Sequence, residues 1–116
     1  MLAVLRFDVP RDRAAQFQRD AGAALDVLAA CTGWRSARVA RAVDVPDEWM
    51  VTLEWDSVGD YRRALSSFEV KVSAVPFLSA ARDEPSAFEV VEARGLGAEG
   101  LQTGSGRSDE PPVARW

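Results

Sequence analysis

Trp55 closes an alternating run of residues, and Tyr61 follows it six positions later. An indole N–H and a phenol are hydrogen-bond donors carried on flat apolar bodies. Such a pair can wall an aromatic site, and the hydroxyl of Tyr61 can hand off a proton. Both are also ordinary core residues. On that reading Trp55 closes a strand–helix corner with its N–H bonded to a nearby carbonyl, and Tyr61 packs with a wet tip. Trp34, Trp49 and Phe68 add aromatic surface of a kind that suits flat ligands or a core. Arg62, next to Arg63, belongs to a solvated helix face that can also meet an anionic substrate. Glu54 and Glu89 are candidate acid–base residues, although their predicted arginine neighbours favour an ion-pair ladder. Cys31 falls at a helix end, where the negative dipole end disfavours a catalytic thiolate.

The chain has no histidine. That excludes Ser-His-Asp and Cys-His mechanisms, His-ligated haem and most zinc sites. No cofactor and no metal are expected. Proton transfer falls to carboxylates, Tyr61, Cys31 or an outside molecule.

The elements that must position these residues centre on Glu48 to Phe68. Trp49, Val51, Leu53 and Trp55 point one way, and Met50, Thr52 and Glu54 the other, which is the strand signal. Ser57 then caps a helix, with Asp60 in its first turn. Val58, Tyr61 and Leu65 follow at helical spacing. Upstream, Leu2 to Asp8 reads as the first strand, and Arg11 to Cys31 as the longest helix. That helix carries an apolar stripe through Ala14, Phe17, Ala21, Ala24, Leu25 and Leu28. Gly33 suits a left-handed helix close. Trp34 to Val43 is the second strand, and Asp44 to Asp47 the hairpin turn. Downstream of Ser67 a second helical stretch is interrupted near Pro76. Ala87 to Ala93 is the fourth strand, with Phe88 and Val90 on the helix face.

The order βαββαβ predicts a ferredoxin-like α+β sandwich, a four-stranded antiparallel sheet with helices on one face. The expected spatial order is fourth, first, third, second. The bare face then holds a row of Glu89, Arg6, Glu54 and Arg38, with Leu2, Val4, Met50, Ala87 and Val91 around it. So much apolar area wants a cover, and a homodimer with sheet faces opposed supplies one.

A chain of 116 residues is one domain, here residues 1–93, followed by a Gly-, Ser- and Pro-rich stretch, 94–116, read as a flexible tail. Net charge is −4 without a free basic cluster, which argues against nucleic acid as a partner. One cysteine and no signal peptide suit a reducing, cytoplasmic setting. No segment is long enough to span a membrane.

The hairpin with Pro46, the strand ending Glu54-Trp55-Asp56-Ser57, the helix with Tyr61 and Leu65, Ser67-Phe68 and the Gly33-Trp34 strand entry together resemble the antibiotic biosynthesis monooxygenase family of dimeric α+β barrels. The resemblance covers roughly residues 2–92. It implies a pocket between sheet and helices, with Trp55 on its wall. Its members include cofactor-free oxygenases of aromatic polyketides and haem-degrading enzymes. The helix position that is commonly histidine, nine past the tryptophan, is Ala64, and the later helix has no iron ligand, which argues against haem degradation. The reading is therefore a cofactor-independent monooxygenase acting on an aromatic polyketide-like or quinol substrate. The alternative is a non-catalytic dimer that binds a small hydrophobic or aromatic molecule.

Overall fold

In the computed structural model, which describes residues 1–95, the parity of Trp49, Val51, Leu53 and Trp55 decides what the core contains. All four are buried, and Met50, Thr52 and Glu54 between them are only half-buried. The strand β3, Glu48–Trp55, pairs antiparallel with β1, Leu2–Asp8, and with β2, Trp34–Arg41. Ala3, Leu5 and Phe7 of β1 join the same buried layer. The sheet order is β2-β3-β1-β4, as the element order predicts.

Helices cover that layer on one side. Helix α1, Ala14–Leu28, follows a 3-10 turn at Arg11–Arg13 and buries Ala21, Ala24 and Leu28. Helix α2, Val58–Ser66, starts at Ser57, whose Oγ accepts from the Asp60 N–H at 3.1 Å. Extended backbone at Ser67 ends it. The next stretch divides into α3, Phe68–Ser73, and α4, Val75–Leu78, with the break at Ala74 beside Pro76.

Three expectations change. Strand β4 is only Ala87–Phe88, not 87–93. Its register sets Ala87 opposite Ala3 and Phe88 opposite Leu2. Phe88 therefore lies on the outer face rather than the helix face, because a shift of one residue moves every side chain across the sheet. The charge row does not form either. Arg6 lies opposite Met50, and Glu54 opposite Leu2 on one side and Ser36 on the other. Counting faces fixes which side a residue occupies but not how far along the strand it lies. The reading of 94–116 as a tail falls, from residue 96 on, outside the described residues.

Arg6 instead reaches Glu84 at 2.9 Å, and Arg82 reaches Asp8 at 2.6 Å and Glu48 at 3.2 Å. These pairs strap the segment after α4 across β1 and β3. The Arg82 hydrogen bond holds the Asp8 carboxyl below the usual carboxylate range, and the Arg6 hydrogen bond does the same for Glu84. A depressed folded-state pKa gives stability that is present above the unfolded value and lost as pH falls through the folded one. Unfolding midpoints should therefore drop as pH is lowered below about 4, and Arg82→Gln should flatten that acid limb. A limb unchanged in Arg82→Gln would contradict the strap.

Candidate functional site

The corner between β3 and α2 is built around glycine. Gly33 has φ +87°, a conformation that glycine reaches without strain. Its carbonyl accepts from the Asp56 N–H at 2.8 Å, which ties the start of β2 to the end of β3. Asp60 packs directly on Gly33 and is held by Arg63 at 2.7 Å and by the Ser57 hydroxyl at 3.1 Å. Arg63, chiefly, keeps the Asp60 carboxyl below the usual range. This latch fixes the first turn of α2 and with it Tyr61.

One irregularity completes the corner. The β2–β3 register slips between Trp34 and Ser36, so that Trp34 pairs with Trp55 while Ser36 pairs with Glu54. An extra residue in one strand turns the side chain before it to the other face. Trp34 therefore reaches the helix side, where simple alternation from Ser36 would deny it. Its ring meets Trp55 edge-on at 5.4 Å, and Trp55 lies 5.6 Å from Tyr61.

Trp55, Tyr61 and Trp34 thus come together. Trp55 is fully buried, Tyr61 is buried, and Trp34 is half-buried. The expected carbonyl partner for the Trp55 indole is not there: its Nε1–H is buried without an acceptor among the described residues. Buried donors nearly always have partners, so this N–H is open to an acceptor brought by a water or a bound molecule. Burial pushes the Tyr61 phenol up, so at neutral pH it is a neutral donor rather than a base. Two donors on flat rings can stabilise negative charge that develops on an oxygen.

The other candidates lie elsewhere. Trp49 is at the far end of β3, near Phe17 at 5.2 Å and under the Arg41 guanidinium at 5.3 Å. Its indole N–H is likewise buried without an acceptor. Arg62 is exposed on α2, and Phe68 is 81 % exposed at the start of α3. Cys31 Sγ donates to the Val27 carbonyl. Among the described residues no group of three or more Cys, Asp or Glu is placed to hold a metal, and no helix is long and apolar enough to cross a membrane.

Sequence reasoning missed an opening of about 560 Å³ at the Trp49 end, walled by Phe7, Phe17 and Phe77 and edged by Arg13. None of the candidate residues named from the sequence lines it. The sequence carries only a partial signal: Phe17 lies on the apolar stripe of α1, while the pairing of Phe7 with Trp49 across β1 and β3 is a matter of register.

The family model for antibiotic biosynthesis monooxygenase matches residues 1–74. No curated protein matches the chain. Among solved structures, the chain is similar to SnoaB, a cofactor-independent oxygenase from Streptomyces nogalater. Identity is 21 %, the TM-score is 0.64, and 84 % of this chain and 96 % of that one are covered. A protein from Deinococcus radiodurans classed with antibiotic biosynthesis monooxygenases has 18 % identity, a TM-score of 0.58, and 82 % and 96 % coverage. A conserved protein from Methanosarcina mazei Go1 has 17 % identity, a TM-score of 0.59, and 74 % and 84 % coverage. At these identities the solved structures establish the fold alone.

Proposed function

The chain belongs to the antibiotic biosynthesis monooxygenase family, and from that membership we propose that it oxidises an electron-rich aromatic substrate, an anthrone or quinol, with oxygen and no cofactor. The observation that carries this reading is the buried, unpartnered indole N–H of Trp55 beside the phenol of Tyr61. Trp55 and Tyr61 act as donors and walls, and Trp34 closes the site.

For an anthrone the chemistry balances without help. The ring methylene loses a proton, and the resulting carbanion passes one electron to oxygen. The radical pair joins, forming a C–O bond to a peroxide. Loss of the second methylene proton then breaks the O–O bond. One oxygen atom remains as the new carbonyl and the other leaves as water. With no histidine in the chain, the first proton leaves because the substrate is acidic. The donors hold the oxyanion that results, and the closed corner excludes water. Trp55 is fully buried, so in this reading side chains packed on it must move before substrate can touch the indole.

In this proposal the working unit is a homodimer. The outer sheet face carries Leu2, Val4, Met50 and Phe88, and Phe88 is 46 % exposed. Opposed sheets of two copies cover these residues.

A binding protein without chemistry is the second reading. It is favoured by the position of the open 560 Å³ pocket, away from Trp55 and Tyr61. Oxygen uptake with anthrones and quinols separates the two. The oxygenase reading expects uptake above the buffer rate and a fall of about tenfold or more in kcat for Tyr61→Phe. No uptake with any substrate, or uptake unchanged in both Tyr61→Phe and Trp55→Phe, would leave the binding reading standing.

A further inference from the structure

We infer that Tyr61, Trp55 and Trp34 form a one-electron relay, through which an oxidant at the protein surface draws an electron from Tyr61 without entering the corner. The inference does not rest on the oxygenase reading.

The path comes first. The ring centroids of Tyr61 and Trp55 are 5.6 Å apart, and those of Trp55 and Trp34 are 5.4 Å apart. Phenol and indole are the aromatic side chains that give up an electron most readily. Rings in contact exchange one by tunnelling within the lifetime of a radical. Trp55, in the middle, is 0 % exposed and Tyr61 is 7 % exposed, while Trp34 is only half-buried. Trp34 is therefore the member that a soluble oxidant meets. It stands there because of the register slip between Trp34 and Ser36.

The other aromatic cluster makes no such path. Trp49 touches Phe17, which packs on Phe7 and Phe77, and phenylalanine rings are too hard to oxidise to carry the charge. Trp49 precedes Trp55 by six residues of one strand, about 20 Å at the usual rise.

Protons decide where the charge comes to rest. An indole that has lost an electron becomes a strong acid at its N–H. The Trp55 N–H is buried with no acceptor among the described residues, so the oxidised ring keeps its proton and remains a strong oxidant. Trp55 thus passes the charge on rather than storing it. The Tyr61 hydroxyl is not among the fully buried atoms left without a partner, so water can take its proton. Loss of that proton makes the tyrosyl radical the most stable stop on the path.

The step balances with an organic peroxyl radical as the oxidant. One electron passes from Tyr61 through Trp55 and Trp34 to the peroxyl radical. The phenolic O–H bond breaks and its proton goes to water. The reduced peroxide takes a proton from water and leaves as a hydroperoxide. Tyr61 is oxidised to its radical, and the peroxyl radical is reduced.

The test uses the full chain carrying Trp116→Phe, so that the fourth tryptophan, which lies outside the described residues, does not compete. Tris(bipyridine)ruthenium(III), made by a light flash with a cobalt(III) ammine as sacrificial acceptor, is the oxidant at neutral pH. Transient absorption and electron paramagnetic resonance identify the radicals. Tyr61 is the sole tyrosine, so a tyrosyl signal has one source. That signal should rise as tryptophan radical decays. Trp34→Phe and Trp55→Phe should each lose it with the fold retained by circular dichroism, and Trp49→Phe should keep it. Trp34→Phe, at the half-buried end, decides the matter alone if Trp55→Phe unfolds. Tryptophan radical that decays with no tyrosyl radical, a tyrosyl yield unchanged in Trp34→Phe, or a loss in folded Trp49→Phe as complete as that in Trp34→Phe would overturn the relay. Because no substrate is added, an inactive oxygenase does not affect the readout.

Discussion

Trp55→Phe is expected to lower kcat by about a hundredfold or more while the protein remains folded. Two effects on stability oppose each other. Trp55 is 0 % exposed, and a smaller ring leaves unfilled space. Its indole N–H, however, is buried without an acceptor, a state that costs about 1–3 kcal/mol and that phenylalanine does not have. The net change should stay within about 1.5 kcal/mol, against about 3–5 kcal/mol for Trp55→Ala. For a small domain with about 5–15 kcal/mol in hand, the alanine variant loses a large share of its stability. Urea unfolding of both variants, alongside oxygen uptake, checks this. If Trp55→Phe destabilises as much as Trp55→Ala, the orphan donor is no burden to the fold. The case for its role in catalysis then fails.

The second large effect is at Gly33. A Cβ there would lie 2.4 Å from the Asp60 carboxylate, and φ is +87°. Asp60 is pinned by Ser57 and Arg63, so it cannot retreat without opening the cap of α2. Left-handed strain costs about 1–2 kcal/mol and loss of the cap about 1 kcal/mol. Gly33→Ala should therefore lose about 3 kcal/mol, more than 10 °C in Tm for a domain of this size. Asp60→Gly removes both the carboxylate and the Asp60 Cβ, which would lie 2.5 Å from the new methyl group, so it should cost less in the Gly33→Ala background than in the parent. Gly22 supplies the opposite sign. It lies inside α1, and a methyl group added there would meet nothing within 4 Å, so Gly22→Ala should gain about 0.5–1 kcal/mol. A Gly33→Ala variant as stable as the parent would mean that the latch does not hold the corner.

These residues also mark what the sequence could and could not reveal. The alternation from Trp49 to Trp55 and the spacing of Val58, Tyr61 and Leu65 are direct consequences of a one-sided sheet and an amphipathic helix. The fold was therefore legible, down to the Ser57 cap and the break at Pro76. Register was not. Arg6 missed Glu54 because pairing depends on where the strands align, and it found Glu84 on a segment far away in sequence. The slip at Trp34 was equally hidden, since a bulge leaves no periodic trace. It is that slip which brings Trp34 onto Trp55. The Phe7–Phe17–Phe77 opening needed three elements placed in space before its residues could be read as one wall.

The most direct test of the oxygenase account uses labelled oxygen gas. The full chain is incubated with an anthrone and ¹⁸O₂, and the quinone and water are analysed by mass spectrometry. The account predicts one labelled atom in the new carbonyl of the quinone, the other in water, and quinone formed in step with the oxygen consumed. Quinone that appears no faster than in protein-free buffer, or whose new carbonyl oxygen comes from water, would contradict it.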